Sequence, residues 1–88
     1  MHIKVIEQSR LIYQRQTFEG IVEIDGKEVR FRYSEDDNGS EVYIWNGTQW
    51  EDMDYDNPSH IDLSEVCLEI GPANFGKNGA EWDHEAED

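Results

Sequence analysis

Residues 17–33 read TFEGIVEIDGKEVRFRY, two alternating segments on either side of Asp25-Gly26. Asp-Gly favours the positive φ values of a two-residue type I′ turn, so the stretch predicts an antiparallel hairpin. Such a turn fixes the register: Ile24 faces Lys27, Val22 faces Val29, Gly20 faces Phe31 and Phe18 faces Tyr33. One side of the ribbon then collects Phe18, Val22, Ile24, Val29, Phe31 and Tyr33 and forms the core face. The other side pairs Glu19 with Arg32 and Ile21 with Arg30, and sets Glu23 opposite Glu28.

Working downstream, Asn38-Gly39 and Asn46-Gly47 mark two more turns around Glu41 to Trp45, leading into Thr48 to Asp52 as a continuing meander. Read as two-residue turns, they bring Tyr33 to Ile44, Arg32 to Trp45 and Tyr43 to Trp50. The second side of the sheet would hold Tyr43, Trp45 and Trp50 beside Arg30 and Arg32, within cation–π reach. Upstream, His2 to Glu7 and Arg10 to Arg15 both have strand-like composition. Whether they form one bent strand or two is left open.

Asn57-Pro58 opens a helix. Asn caps, Pro takes the first helical position where its missing N–H costs nothing, and Gly71-Pro72 stops the run. Leu63, Val66, Cys67 and Ile70 make an apolar stripe at helical spacing that should cover one face of the sheet, with Asp62, Glu65 and Glu69 elsewhere. The expected fold is α+β: an antiparallel β-meander of four to five strands with one C-terminal helix packed on one face. Residues 1–72 form the domain. Residues 73–88, rich in Gly, Asn and acid with isolated Phe75 and Trp82, read as an acidic flexible tail.

Charge is segregated along the chain. Residues 1–34 carry six Lys and Arg against five Asp and Glu, and residues 35–88 carry one lysine against sixteen acids, within a formal net charge of −14. Solubility asks for a net charge of only about 2 to 8 in a small domain. A halophile's excess would be spread along the whole chain. Carboxylates so concentrated repel one another unless a positive partner offsets them, so the reading is of a binding surface. The acids fall in groups: Glu35, Asp36 and Asp37; Glu51, Asp52, Asp54 and Asp56; Asp62, Glu65 and Glu69; and the tail. On a strand, Asp52, Asp54 and Asp56 would point to one side at spacings of about 7 Å, comparable to successive phosphates of a nucleic-acid strand. A groove that carries Lys and Arg for phosphates would bind such rows.

Other chemistries find little support. Asp52, Asp54 and Asp56 match the first ligand positions of an EF-hand loop, but Asn57 stands where its turn-making Gly belongs and Leu63 where its last carboxylate belongs. A low-affinity calcium-binding module stays as an alternative; no specific metal or cofactor is expected. His2, His60 and His84 are scattered and Cys67 is alone, so there is no zinc spacing, no internal disulfide, and a reducing cytoplasm suits the chain. Cys67 in the apolar stripe is a structural thiol. No catalytic residues are assigned, and the chain is not expected to be an enzyme. The sequons at Asn38 and Asn46 read as turns. No apolar run reaches the roughly 18 residues that spanning a membrane requires.

Tyr43, Trp45, Trp50 and Tyr55 either complete the core or, exposed beside carboxylates, anchor a protein partner. Direct nucleic-acid binding is disfavoured because the surrounding charge has the wrong sign. In size and charge, though in no motif, the chain resembles the small acidic inhibitors by which phages blunt host defences, including anti-restriction and anti-CRISPR proteins that mimic DNA. That resemblance implies an inhibitor occupying the basic nucleic-acid groove of an effector; Glu51, Asp52, Asp54, Asp56, Asp62, Glu65 and Glu69 are the first candidate contacts, with Glu35, Asp36, Asp37, Tyr43, Trp45, Trp50 and Tyr55 beside them. An immunity or antitoxin-like protein binding a basic nuclease, or a general interaction module, are the alternatives. The oligomeric state is open.

Overall fold

The computed structural model describes residues 1–13 and 16–84. Six strands form one antiparallel sheet in the order β5-β4-β3-β2-β1-β6: β1 is His2–Tyr13, β2 Thr17–Ile24, β3 Lys27–Asp36, β4 Gly39–Trp45, β5 Trp50–Asp52 and β6 Glu81–Asp83. One helix, α1 (Pro58–Glu69), and a short 3₁₀ turn, Pro72–Asn74, carry the chain from the β5 edge across one face to the β6 edge. The fold is the α+β meander expected, with a sixth strand.

The β2–β3 hairpin has the register its sequence dictates, from Ile24 opposite Lys27 to Phe18 opposite Tyr33. Asp25 and Gly26 both take positive φ, 50° and 85°, as a type I′ turn requires. Two later registers differ from expectation. Phe31 pairs with Ile44 and Arg32 with Tyr43, because the β3–β4 turn is Asp37-Asn38: the Asp36 carboxylate accepts the Asn38 N–H at 2.8 Å and starts the turn one residue early. Trp45 pairs with Trp50, because Asn46 Oδ1 accepts from the Thr48 and Gln49 N–H groups and holds a four-residue loop. Each slip is two residues, so every side chain keeps its face while its partner changes.

The amino-terminal segment is one long strand with irregularities in its pairing to β2 after Val5, Glu7 and Leu11. Bulges of this kind bend a strand and increase its local twist. A close approach explains Gly20: a Cβ there would lie 2.6 Å from Ser9 Oγ and 3.1 Å from Ser9 Cα.

Ile3, Val5, Val22, Ile24, Val29, Phe31, Tyr33, Val42 and Ile44 form the sheet's buried face, closed by Leu63, Val66 and Cys67 of α1 and by Phe75. Asn57 caps the helix by accepting the Ser59 N–H at 3.0 Å. Burial pushes the Cys67 thiol far up and the Tyr33 phenol up, which suits both to structural roles.

The stretch from residue 73 to residue 84, expected as tail, is built into the fold. Phe75 is 3% exposed, packs on Phe31 at a ring separation of 5.9 Å and meets Trp82 at 5.6 Å. β6 adds to the outer edge of β1, with His2 opposite Asp83 and Lys4 opposite Glu81. Phe75, buried, and Trp82, half-buried against it, outweigh the polar composition around them. Arg15 and the acids at 85, 87 and 88 lie outside the described residues. Among the described residues no helix is long and apolar enough to cross a membrane.

Candidate protein-binding surface

The acidic end of the sheet is assembled by topology. β3 reaches Glu35 and Asp36, turns, and returns as β4. β5 then runs back beside β4, and the Met53 N–H donates to the Val42 carbonyl at 3.2 Å, which draws residues 52–56 alongside the start of β4. Glu41, Asp52, Tyr55 and Ser64 border one depression, and Asp36, Ser40 and Glu41 border its neighbour. Glu41 therefore links Asp36 to Asp52.

Glu35, Asp36, Asp37, Glu41, Glu51, Asp52, Asp54 and Asp56 are all exposed. Among the described residues none of them is paired with a lysine, arginine or histidine; the ion pairs are Arg10–Glu19 at 3.9 Å, His2 with Glu81 and Asp83, and His84–Glu69. Lys27 follows the turn at the other end of β3, and nine strand residues place it roughly 30 Å from Asp36. Arg32 lies nearer, bordering a shallow depression with Glu41, Tyr43 and Trp50.

Three details correct the sequence reading. First, Asp52, Asp54 and Asp56 do not line one side of a strand. β5 ends at Asp52; the Asp54 carboxylate accepts the Asp56 N–H at 2.9 Å, and His60 Nδ1 accepts the Asp54 N–H at 3.0 Å, so the segment folds into a turn leading to the cap. Second, Glu51 pairs with Ile44 and Asp52 with Tyr43, so these neighbours point to opposite faces. Third, α1 carries Glu69 away from the acidic end as it crosses the sheet. Glu69 Oε2 ends 2.8 Å from His84 Nε2.

Tyr43, Trp45 and Trp50 lie on the sheet face opposite α1 and are half-buried there; Tyr55 stands 78% exposed at the acidic end. Trp45 and Trp50 pack at 5.3 Å, and the Arg32 guanidinium covers Trp50. Tyr43 donates its hydroxyl to Glu41, and this bond, with burial second, raises the phenol's pKa. The free sheet face is therefore an aromatic and arginine surface whose rim runs into the carboxylates.

Sequence reasoning missed Glu41, although alternation along Gly39–Trp45 puts it on the face of Tyr43 and Trp45. It also missed Ile61 and Leu68, which are 37% and 61% exposed on α1. Their separation of seven residues, off the core stripe, was a legible signal. Among the described residues no group of three or more metal-ligating side chains gathers. Comparison with known protein families, curated proteins and solved structures finds no match.

Proposed function

We propose that the protein is a stoichiometric, protein-binding inhibitor that presents its acidic end to the basic nucleic-acid groove of an effector, as a DNA mimic of the anti-restriction or anti-CRISPR type does. One observation carries the reading: Asp36, Glu41 and Asp52 surround adjoining depressions, with Asp37, Glu51, Asp54 and Asp56 beside them, and none of them forms an ion pair among the described residues. Such a surface attracts Lys and Arg and steers association, with a strong dependence on salt. Tyr55 supplies an exposed aromatic anchor at the same end. The lone Cys67 is compatible with action in the cytoplasm.

The test presents the immobilised protein to purified restriction and RNA-guided nucleases. Binding should be competed by duplex DNA and weakened steeply by salt. It should be lost in the triple variant Asp37→Lys, Asp52→Lys, Asp56→Lys, whose carboxylates accept none of the hydrogen bonds described above. Binding that persists in the triple variant, or that ignores duplex DNA, rules the reading out.

A further inference from the structure

The outer side of α1 is arranged against its own stability. The helix has no acid in its first turn and no base in its last, while Glu69 sits at the carboxyl end, where the helix dipole favours cations. Asp62 and Glu65 are three apart and Glu65 and Glu69 four apart, so like charges meet along one side. The helix holds no Lys or Arg to interrupt them, and of the three only Glu69 has a described histidine beside it, His84 at 2.8 Å. Beside this row Ile61 and Leu68, two turns apart, face solvent while Leu63, Val66 and Cys67 face the sheet. α1 is thus apolar on two sides, and only one is covered among the described residues.

We propose that the outer face of α1 docks a cationic amphipathic helix of the partner, whose apolar side covers Ile61 and Leu68 and whose Lys and Arg lie over Asp62, Glu65 and Glu69. This inference rests on the acidic-surface reading and adds an apolar anchor to it. Charge complementarity selects the occupant: a cationic segment converts each unfavourable contact of the row into a favourable one, whereas a second copy of this chain would bring a like row against it. Apolar side chains seven residues apart with charge alongside are anchors that an amphipathic partner helix can pack against.

The experiment uses two 18-residue peptides of identical Leu and Lys content, one patterned as an amphipathic helix and one scrambled, titrated into the whole protein. The patterned peptide should bind about ten-fold tighter, as expected from burying one or two leucine-sized side chains. Leu68→Ser, at an exposed site, should bring the two to within about two-fold while leaving the melting temperature unchanged; Ile61→Ser should act alike. Equal, salt-sensitive binding of both peptides, indifferent to Leu68→Ser, overturns the docking face and leaves the acidic-surface reading standing. Failure of both peptides to bind overturns the two together. If sedimentation of the protein alone shows a dimer that Leu68→Ser dissociates, the occupant is a second copy and the proposal falls.

Discussion

The Arg32 guanidinium carbon stands 4.3 Å from the centroid of the Trp50 ring, joining the middle of the sheet to its short edge strand. Arg32 is on β3 and Trp50 on β5, with β4 between them, so the contact spans three strands. At a half-exposed site such a pair contributes about 0.5–1 kcal/mol. A double-mutant cycle of Arg32→Ala and Trp50→Leu, read by urea unfolding, should return a coupling of that size; additive effects would show that the stacking is energetically idle.

Gly20 is required by the chain that crosses it. Gly20→Ala would force its Cβ against Ser9, including the backbone Cα, and should destabilise the protein by about 1–3 kcal/mol. Changing the flexible partner alone, Ser9→Gly, in the Gly20→Ala background should recover part of the loss. Thermal unfolding of the two variants measures it.

Phe75 belongs to the core although its surroundings read as a tail. Phe75→Ala removes a ring that is 3% exposed and should cost about 3–5 kcal/mol, the range for deleting a buried aromatic. A cost below that of an ordinary surface substitution in urea titration would contradict its packing between Phe31 and Trp82.

His2 makes the β1–β6 edge sensitive to pH. Its ring nitrogens lie 3.0 Å from the Asp83 and Glu81 carboxylates, and these bonds, that to Asp83 foremost, raise its pKa above the ordinary histidine value. A raised pKa means that the stabilisation is complete below the unfolded pKa, near 6.5, and is lost as pH climbs through the folded value. The melting temperature should therefore fall more between pH 6 and pH 8 in the natural protein than in His2→Gln. The variant serves as the reference because general carboxylate repulsion changes in both. Parallel curves would refute the clasp.

Local chemistry made much of this legible. Asp25-Gly26 fixes one hairpin in full, and Asn57-Pro58 with Gly71-Pro72 brackets the helix. Turn type was less legible. Asp36 and Asn46 each use a side-chain oxygen to capture nearby N–H groups, which lengthens or advances the turn without changing which residues face the core. The addition of β6 was illegible because it depends on Phe75 and Trp82 reaching partners distant in sequence, where periodicity carries no information. The acidic end could be read as composition, but the linking role of Glu41 appears only when β5 runs back beside β4, and the turn at Asp54 breaks the regular row that alternation suggested.

The edge pairing of β6 has a bearing on how the chain matures. His2 and Glu81 are 79 positions apart, so during translation the outer rim of β1 waits bare until nearly the whole described chain has left the ribosome. Contacts so remote in sequence slow folding and leave an unpaired strand open to pairing with neighbouring chains in the meantime. Once residues 35 onward have emerged, the mutual repulsion of chains carrying so much negative charge opposes such pairing.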